Sequence, residues 1–146
     1  SGVAGRSVIE LDVQASNVYR YAVPATGNIG IVSFKNMPAN AECSATVTVI
    51  FTQNSSTPTS GVGNTVDTSG IGTYCNVTGI SSDAVAGIST RGDVGSASTV
   101  TLSATASDED FVSFFVHYNG GTNTDASSYK VYVTKKGGFR PGLIGV

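Results

Sequence analysis

The sequence predicts an all-β fold, an antiparallel β-sandwich or jelly roll of about eight strands with no significant helix. Three observations lead there. Successive segments alternate apolar and polar residues with period two, the mark of strands whose two faces see different surroundings. No segment carries a convincing helical period. Gly, Asn, Ser, Thr and Pro gather between the alternating runs, where turns belong.

"VIELDVQA" is the cleanest run: Ile9, Leu11, Val13 and Ala15 share one face, and Val8, Glu10, Asp12 and Gln14 the other. "NVYRYAV" groups Tyr19, Tyr21 and Val23 opposite Val18, Arg20 and Ala22. Pro24 should end that strand, because it has no N–H for the ladder. "GIVSFKN" sets Val32 and Phe34 against Ile31, Ser33 and Lys35. "CSATVTVIFTQ" is expected to be the longest strand, with Cys43, Ala45, Val47, Val49 and Phe51 inward. Residues 54–72 are turn formers without a sustained period and read as one long loop, a length often tied to function. "TYCNVTGI" is a short strand candidate, and "SSDAVAGISTRGDVG" a loop with one short strand. "STVTLSATA" alternates again. In "DFVSFFVHY" both faces are largely apolar, so neither looks water-facing; one should meet the core and the other a loop or another subunit. "SYKVYVTKK" is the final strand. After it, glycines at 137, 138, 142 and 145 with Pro141 argue against a regular strand. Yet Phe139, Leu143, Ile144 and Val146 are apolar, so residues 137–146 are expected to form a docked irregular tail.

The 146 residues suit one domain, residues 1–146, able to bury about two-thirds of its unfolded surface. Starting at Ser1 without Met, the chain reads as a domain cut from a longer protein or a processed product. Charged residues make up 12%, half the usual share, while Ser and Thr supply roughly a quarter. A net charge of −2 without a basic run argues against nucleic acid. No apolar run is long enough for a spanning helix, so no membrane insertion is expected.

Few residues invite chemistry. His117 is the only histidine. It reads as a partly buried strand residue bonded to backbone or hydroxyl. A second reading brings three copies together on a trimer axis as a metal site, since a metal needs at least three ligands. Cys43 and Cys75 lie on apolar faces and are expected to be free thiols, with a disulfide as the alternative. Asp108, Glu109 and Asp110 read as a solvated turn that guards the aggregation-prone "FVSFFV". "RGD" at Arg91 to Asp93 is too short to signify an integrin ligand, and the sequons at Asn54 and Asn76 carry meaning only on a secretory route. No nucleophile elbow, P-loop or dinucleotide fingerprint is present, so no cofactor, no metal and no catalytic residue is expected.

"GNIGIVSFKNMP", "VTVIFTQNSS" and "STVTLSATASDEDFVSFFVHYNGGTNTDASSYKVYVTKKGGFRPG" resemble a C-terminal module of large structural and tail-fibre-like virion proteins of marine tailed phages, those of cyanobacteria especially. The likeness runs from about Val8 to Gly142, with "VSFFVHYNGGTN" its most specific part. It implies a non-enzymatic virion component, most simply a trimeric terminal domain of a fibre that contacts a host glycan or protein. The alternative is a capsid decoration or fibre-assembly protein without ligand. On the first reading Asn64, Thr65, Asp67, Asn119, Asn123 and Asp125 are candidate contact residues, since loops on a rigid scaffold carry recognition. Phe115, His117, Phe139, Leu143 and Ile144 are candidate subunit-interface residues.

Overall fold

The structure is a computed structural model that describes residues 6–23, 28–37, 41–54, 65–67, 89–92, 99–103, 105–123 and 125–142. Nine strands run through them: β1 Arg6–Asp12, β2 Val18–Ala22, β3 Asn28–Lys35, β4 Cys43–Thr52, β5 Thr65–Asp67, β6 Ser89–Gly92, β7 Thr99–Thr101, β8 Glu109–Tyr118 and β9 Tyr129–Phe139. The described residues hold no α-helix, only a 3-10 turn at Ala126–Ser128. None of them forms a helix long and apolar enough to cross a membrane.

The strands form two sheets, β1-β3-β5-β7 and β2-β4-β8-β9-β6. Both are mixed, which corrects the antiparallel expectation. β4, β8 and β9 pair antiparallel, as do β5 and β7. β1–β3, β3–β5, β2–β4 and β6–β9 pair parallel. The cause is the chain path. β1 and β3 lie in one sheet, β2 and β4 in the other, so the chain returns to each sheet only after crossing the partner layer. In β1–β3, β2–β4 and β3–β5 the returning strand runs in its original direction, so no hairpin joins the pair, whereas β7 returns beside β5 in the opposite direction.

Residues from both sheets form one core. Ile9, Leu11, Phe34 and Val100 come from the smaller sheet; Val47, Val49, Phe51, Val112, Phe114, Val116 and Val131 from the larger. Phe34 meets Phe114 edge to face, with centroids 5.4 Å apart and planes at 73°, a favoured arrangement for ring quadrupoles. Each fully buried side chain of this size contributes about 1.5–3 kcal/mol before ordering costs. The alternation read from the sequence places these residues correctly. In β4 the inward set is Val47, Val49 and Phe51, with Cys43 and Ala45 half-buried at the strand's start. In β2 the inward set is Tyr19 and Tyr21, and Val23 beyond the strand is buried.

Asp12 closes the β1–β2 corner. Its carboxylate accepts from the Gln14 and Ala15 backbone N–H groups at 2.9 and 3.2 Å, and from Asn36 Nδ2 at 2.9 Å. Its carbonyl accepts the Tyr19 hydroxyl at 2.8 Å. These donors, the Asn36 amide first, hold its pKa below the ordinary carboxylate value.

Four further expectations change. The long loop of residues 54–72 contains strand β5, paired with β3 and β7. Asp108 and Asp110 are each only 1% exposed, so this run is no solvated turn. Asp110 Oδ2 accepts Ser103 N–H at 2.7 Å and Oδ1 accepts Gly138 N–H at 3.0 Å, while Asp108 Oδ2 accepts the Ser103 hydroxyl at 2.6 Å. Buried carboxylates survive where donors and cations meet them: Lys135 Nζ lies 3.8 Å from Asp110, and Arg140 Nε 3.7 Å from Asp108, whose Oδ1 has no hydrogen-bond partner among the described residues. The third change is in the tail. β9 runs on through Gly137 and Gly138 to Phe139, where the notched register pairs Glu109 with Phe139 but Phe111 with Lys136. This bulge needs both glycines. Gly138 has φ +75°, and a Cβ on Gly137 would fall 1.6 Å from Asp110 Oδ1. The fourth is the loop expected over the outer face of β8: no described loop covers that face, which is exposed in the single chain and leaves cover by another subunit open. Residues 73–80, including Cys75 and Asn76, lie outside the described residues, as do Asn64, Asp93 and 143–146.

Candidate functional site on the outer face of the larger sheet

Strand alternation in β8 buries Asp110, Val112, Phe114, Val116 and Tyr118 and turns Phe111, Ser113, Phe115 and His117 outward. β4 and β9 flank it in register, so the outward residues stand in rows. One row is Ser44, His117 and Lys130; the next is Thr46, Phe115 and Tyr132. Then come Val18, Thr48, Ser113 and Thr134, and after them Arg20, Ile50, Phe111 and Lys136. Hydroxyls separate two aromatic pairs. Thr48 Oγ1 and Ser113 Oγ lie 2.9 Å apart in the middle row. On one side Phe115 and Tyr132 are 6.1 Å apart at 55°; on the other Phe111 and Phe139 are 5.4 Å apart at 54°. All four rings are 38–53% exposed. Solvent-facing aromatics in contact are the informative exception to ordinary burial.

His117 stands at the loop end of this face. Its Nδ1 is 2.9 Å from Ser44 Oγ, and its Nε2 3.6 Å from Glu42 Oε1. The three side chains are those of a hydroxyl–imidazole–carboxylate relay, but the ring is turned the other way. An acyl-transfer triad sets the hydroxyl on Nε2 and a buried carboxylate on Nδ1. Here the carboxylate side chain is 72% exposed. The pair Ser44 and His117 is also a direct cross-strand pair of β4 and β8, which explains their contact without chemistry. No group of three or more metal-ligating residues occurs among the described residues.

The β8–β9 connection, Asn119–Ser128, is fixed by its own polar groups. Asn119 Oδ1 accepts Gly121 N–H at 2.9 Å, Asn119 Nδ2 donates to Ser127 O at 3.3 Å, and the Ser128 hydroxyl donates to Thr122 O at 2.7 Å. Beneath it Tyr118 and Tyr129 stack with centroids 5.1 Å apart. Their hydroxyls donate to the carbonyls of Gly121 and Asn123. Gly120 sits at φ +83°, and a Cβ on Gly121 would press on Ser128 Oγ at 2.7 Å. Between this loop and the sheet lies a groove of about 310 Å3, lined by His117, Asn119, Ser127, Ser128, Lys130 and Tyr132. A second hollow of about 230 Å3 lies at the opposite end, against Glu109, Phe139, Arg140, Pro141 and Gly142.

The sequence-derived candidates divide accordingly. His117 and Asn119 line the first groove, and Phe115 lies in the aromatic pair beside it. Asn123 and Asp125 are in the fixed loop, where Asn123 gives its carbonyl to Tyr129. Thr65 and Asp67 are in β5, in the other sheet. Phe139 is in the second aromatic pair. Asn64, Leu143 and Ile144 lie outside the described residues. Sequence reasoning missed Glu42, Lys130 and Tyr132. The alternation of "SYKVYVTKK" does put Lys130, Tyr132, Thr134 and Lys136 on one face, but only the hairpin register sets them beside His117 and Phe115. Cys43 is a free, half-buried thiol on the core side.

No protein-family model, no curated protein and no solved structure matches the chain.

Proposed function

We propose that this chain is a non-enzymatic binding domain of a virion, a β-sandwich at the end of a fibre that assembles as a homotrimer and touches the host cell surface. One observation carries the reading: the outer face of the larger sheet presents two exposed aromatic pairs separated by a row of hydroxyls. A protein with no use for that surface would place charge there, for solubility. The resemblance to phage fibre modules supplies the virion setting. The end at Phe111 and Phe139 suits subunit contact. The end at the fixed loop 119–128 suits contact with the host, because rigid loops recognise with little ordering cost.

The test is the molar mass in solution together with binding to bacterial cells and a polysaccharide panel. A trimer that the double change Phe111→Ser with Phe139→Ser converts to monomer, and that binds cells through the other end, supports the reading. A monomer that binds neither cells nor polysaccharide favours a decoration or assembly protein instead.

A further inference from the structure

We propose that the groove beside loop 119–128 binds a carboxylated saccharide, a uronic-acid unit of an acidic polysaccharide. This rests on the host-contact reading above and names its ligand.

The groove has the volume of a small-ligand site, about 310 Å3. Its wall is set before any ligand arrives, since Asn119, Gly121, Thr122 and Ser128 bond to one another. Among the described residues its lining carries a lysine and no carboxylate. The acceptor Asn119 Oδ1 is taken by Gly121 N–H. The Ser128 hydroxyl proton is committed to Thr122 O. What remains includes the second N–H of the Asn119 amide, the Ser127 hydroxyl, which can donate or accept, and the Lys130 ammonium, a donor only. Among the described residues Lys130 has no ion-pair partner. A wall with one cation and no carboxylate of its own selects a ligand that brings negative charge, and charge-assisted bonds are the strong ones.

Tyr132 and Phe115 decide between a free anion and a sugar. Tyr132 lines the groove, and its ring leans on Phe115 at 55°, leaving ring surface open to solvent. A pyranose lays its apolar C–H face on such a surface, while its hydroxyls and carboxylate reach the polar wall. An inorganic anion gains nothing from the rings. Nucleic acid is disfavoured by the net charge of −2.

Glu42 supplies an internal check. It does not line the groove, yet its carboxylate lies 3.6 Å from His117 Nε2, on the edge of the site. Its charge opposes an anionic ligand, so neutralising it should tighten binding, the opposite of what loss of a contact does.

The experiment titrates the full chain with oligogalacturonate, oligoalginate and hyaluronan oligomers, with neutral galactan oligomers, and with sodium acetate. Calorimetry reads affinity, and amide chemical shifts read location. The expected result is binding of an acidic oligomer that moves the amides of Asn119, Ser127, Lys130 and Tyr132. Lys130→Ala and Tyr132→Ala should each weaken it by roughly fivefold or more, and Glu42→Gln should strengthen it at low salt. Dispersed amide spectra of the variants certify that they fold. Equal affinity for neutral oligomers, indifference to Lys130→Ala, or failure of all three acidic series to bind overturns the proposal. Acetate producing the same shifts, with Tyr132→Ala without effect, also overturns it in favour of a bare anion site. Shifts confined to other surfaces overturn the groove while leaving the host-contact reading intact. No binding to any saccharide or to cells removes both.

Discussion

Gly137→Ala tests the bulge that carries β9 past Lys136. The added methyl would stand 1.6 Å from Asp110 Oδ1 and 2.6 Å from Asp110 Cγ, far inside contact distance. A carboxylate at the end of a free side chain would swing away at little cost. This one is 1% exposed and pinned by Ser103 N–H at 2.7 Å and Gly138 N–H at 3.0 Å. Moving it breaks at least the Gly138 bond and leaves that oxygen poorly matched to Lys135. A hydrogen bond to a charged group is worth about 1.5–3 kcal/mol, and the second bond is strained as well. Replacing Gly with Ala in a strand returns about 0.5–1 kcal/mol of backbone entropy. The net expected loss is about 2–4 kcal/mol. For a domain of this size that is a fall in Tm of about 5–12 °C, read by circular dichroism or urea unfolding. The partner variant Gly138→Ala meets nothing within 4 Å but has φ +75°, so its cost is backbone strain alone, about 1–2 kcal/mol. If Gly137→Ala melts within 2 °C of the parent, or costs the same in an Asp110→Ala background, the clash with Asp110 is not what makes the position glycine.

Phe114→Ala should lose about 3–5 kcal/mol, since the ring is fully buried and joins the two sheets through Phe34; the denaturant midpoint measures it. Asp12 has a folded pKa below its unfolded value near 3.9. Its stabilisation is therefore complete above that unfolded value and is lost as pH falls through the folded one. Urea midpoints from pH 5 down to pH 2.5 should converge for the parent and Asp12→Asn at the acid end and differ at the other. Both thiols should alkylate once the chain is denatured without reductant, with no two-dalton deficit in intact mass; such a deficit would show a bridge between Cys43 and Cys75.

Much of the inward face was legible because burial leaves a periodic trace. Val47, Val49 and Phe51, or Val112, Phe114 and Val116, stand two residues apart and are fully buried. What escaped was whatever depends on which strand neighbours which. Phe111 and Phe115 look like core residues in one dimension; no local signal tells an apolar outer face from an inner one. Asp108 and Asp110 look like surface charges, because the donors that allow their burial come from Ser103 and from Gly138, across the bulge. His117 was visible as a lone histidine, but its setting with Ser44, Glu42 and Lys130 exists only through the β4–β8–β9 register. The strand β5 is three residues long, too short for alternation to register.

The passage of β1 to β4 back and forth between the sheets has a kinetic consequence. The hairpin β8–β9, with its short connection, can close early, and β4 can add to it only after a loop of more than fifty residues closes, to judge from the pairing of Thr52 with Glu109. The parallel pairs β1–β3, β2–β4 and β3–β5 each join strands separated in the chain by a strand of the other sheet. Folding should then be slow and all-or-none, in the range of milliseconds to seconds typical of non-local β topologies, with the barrier set by loop closure. Unfolding must cross the same barrier in reverse. A domain joined in this way persists by rate as much as by free energy.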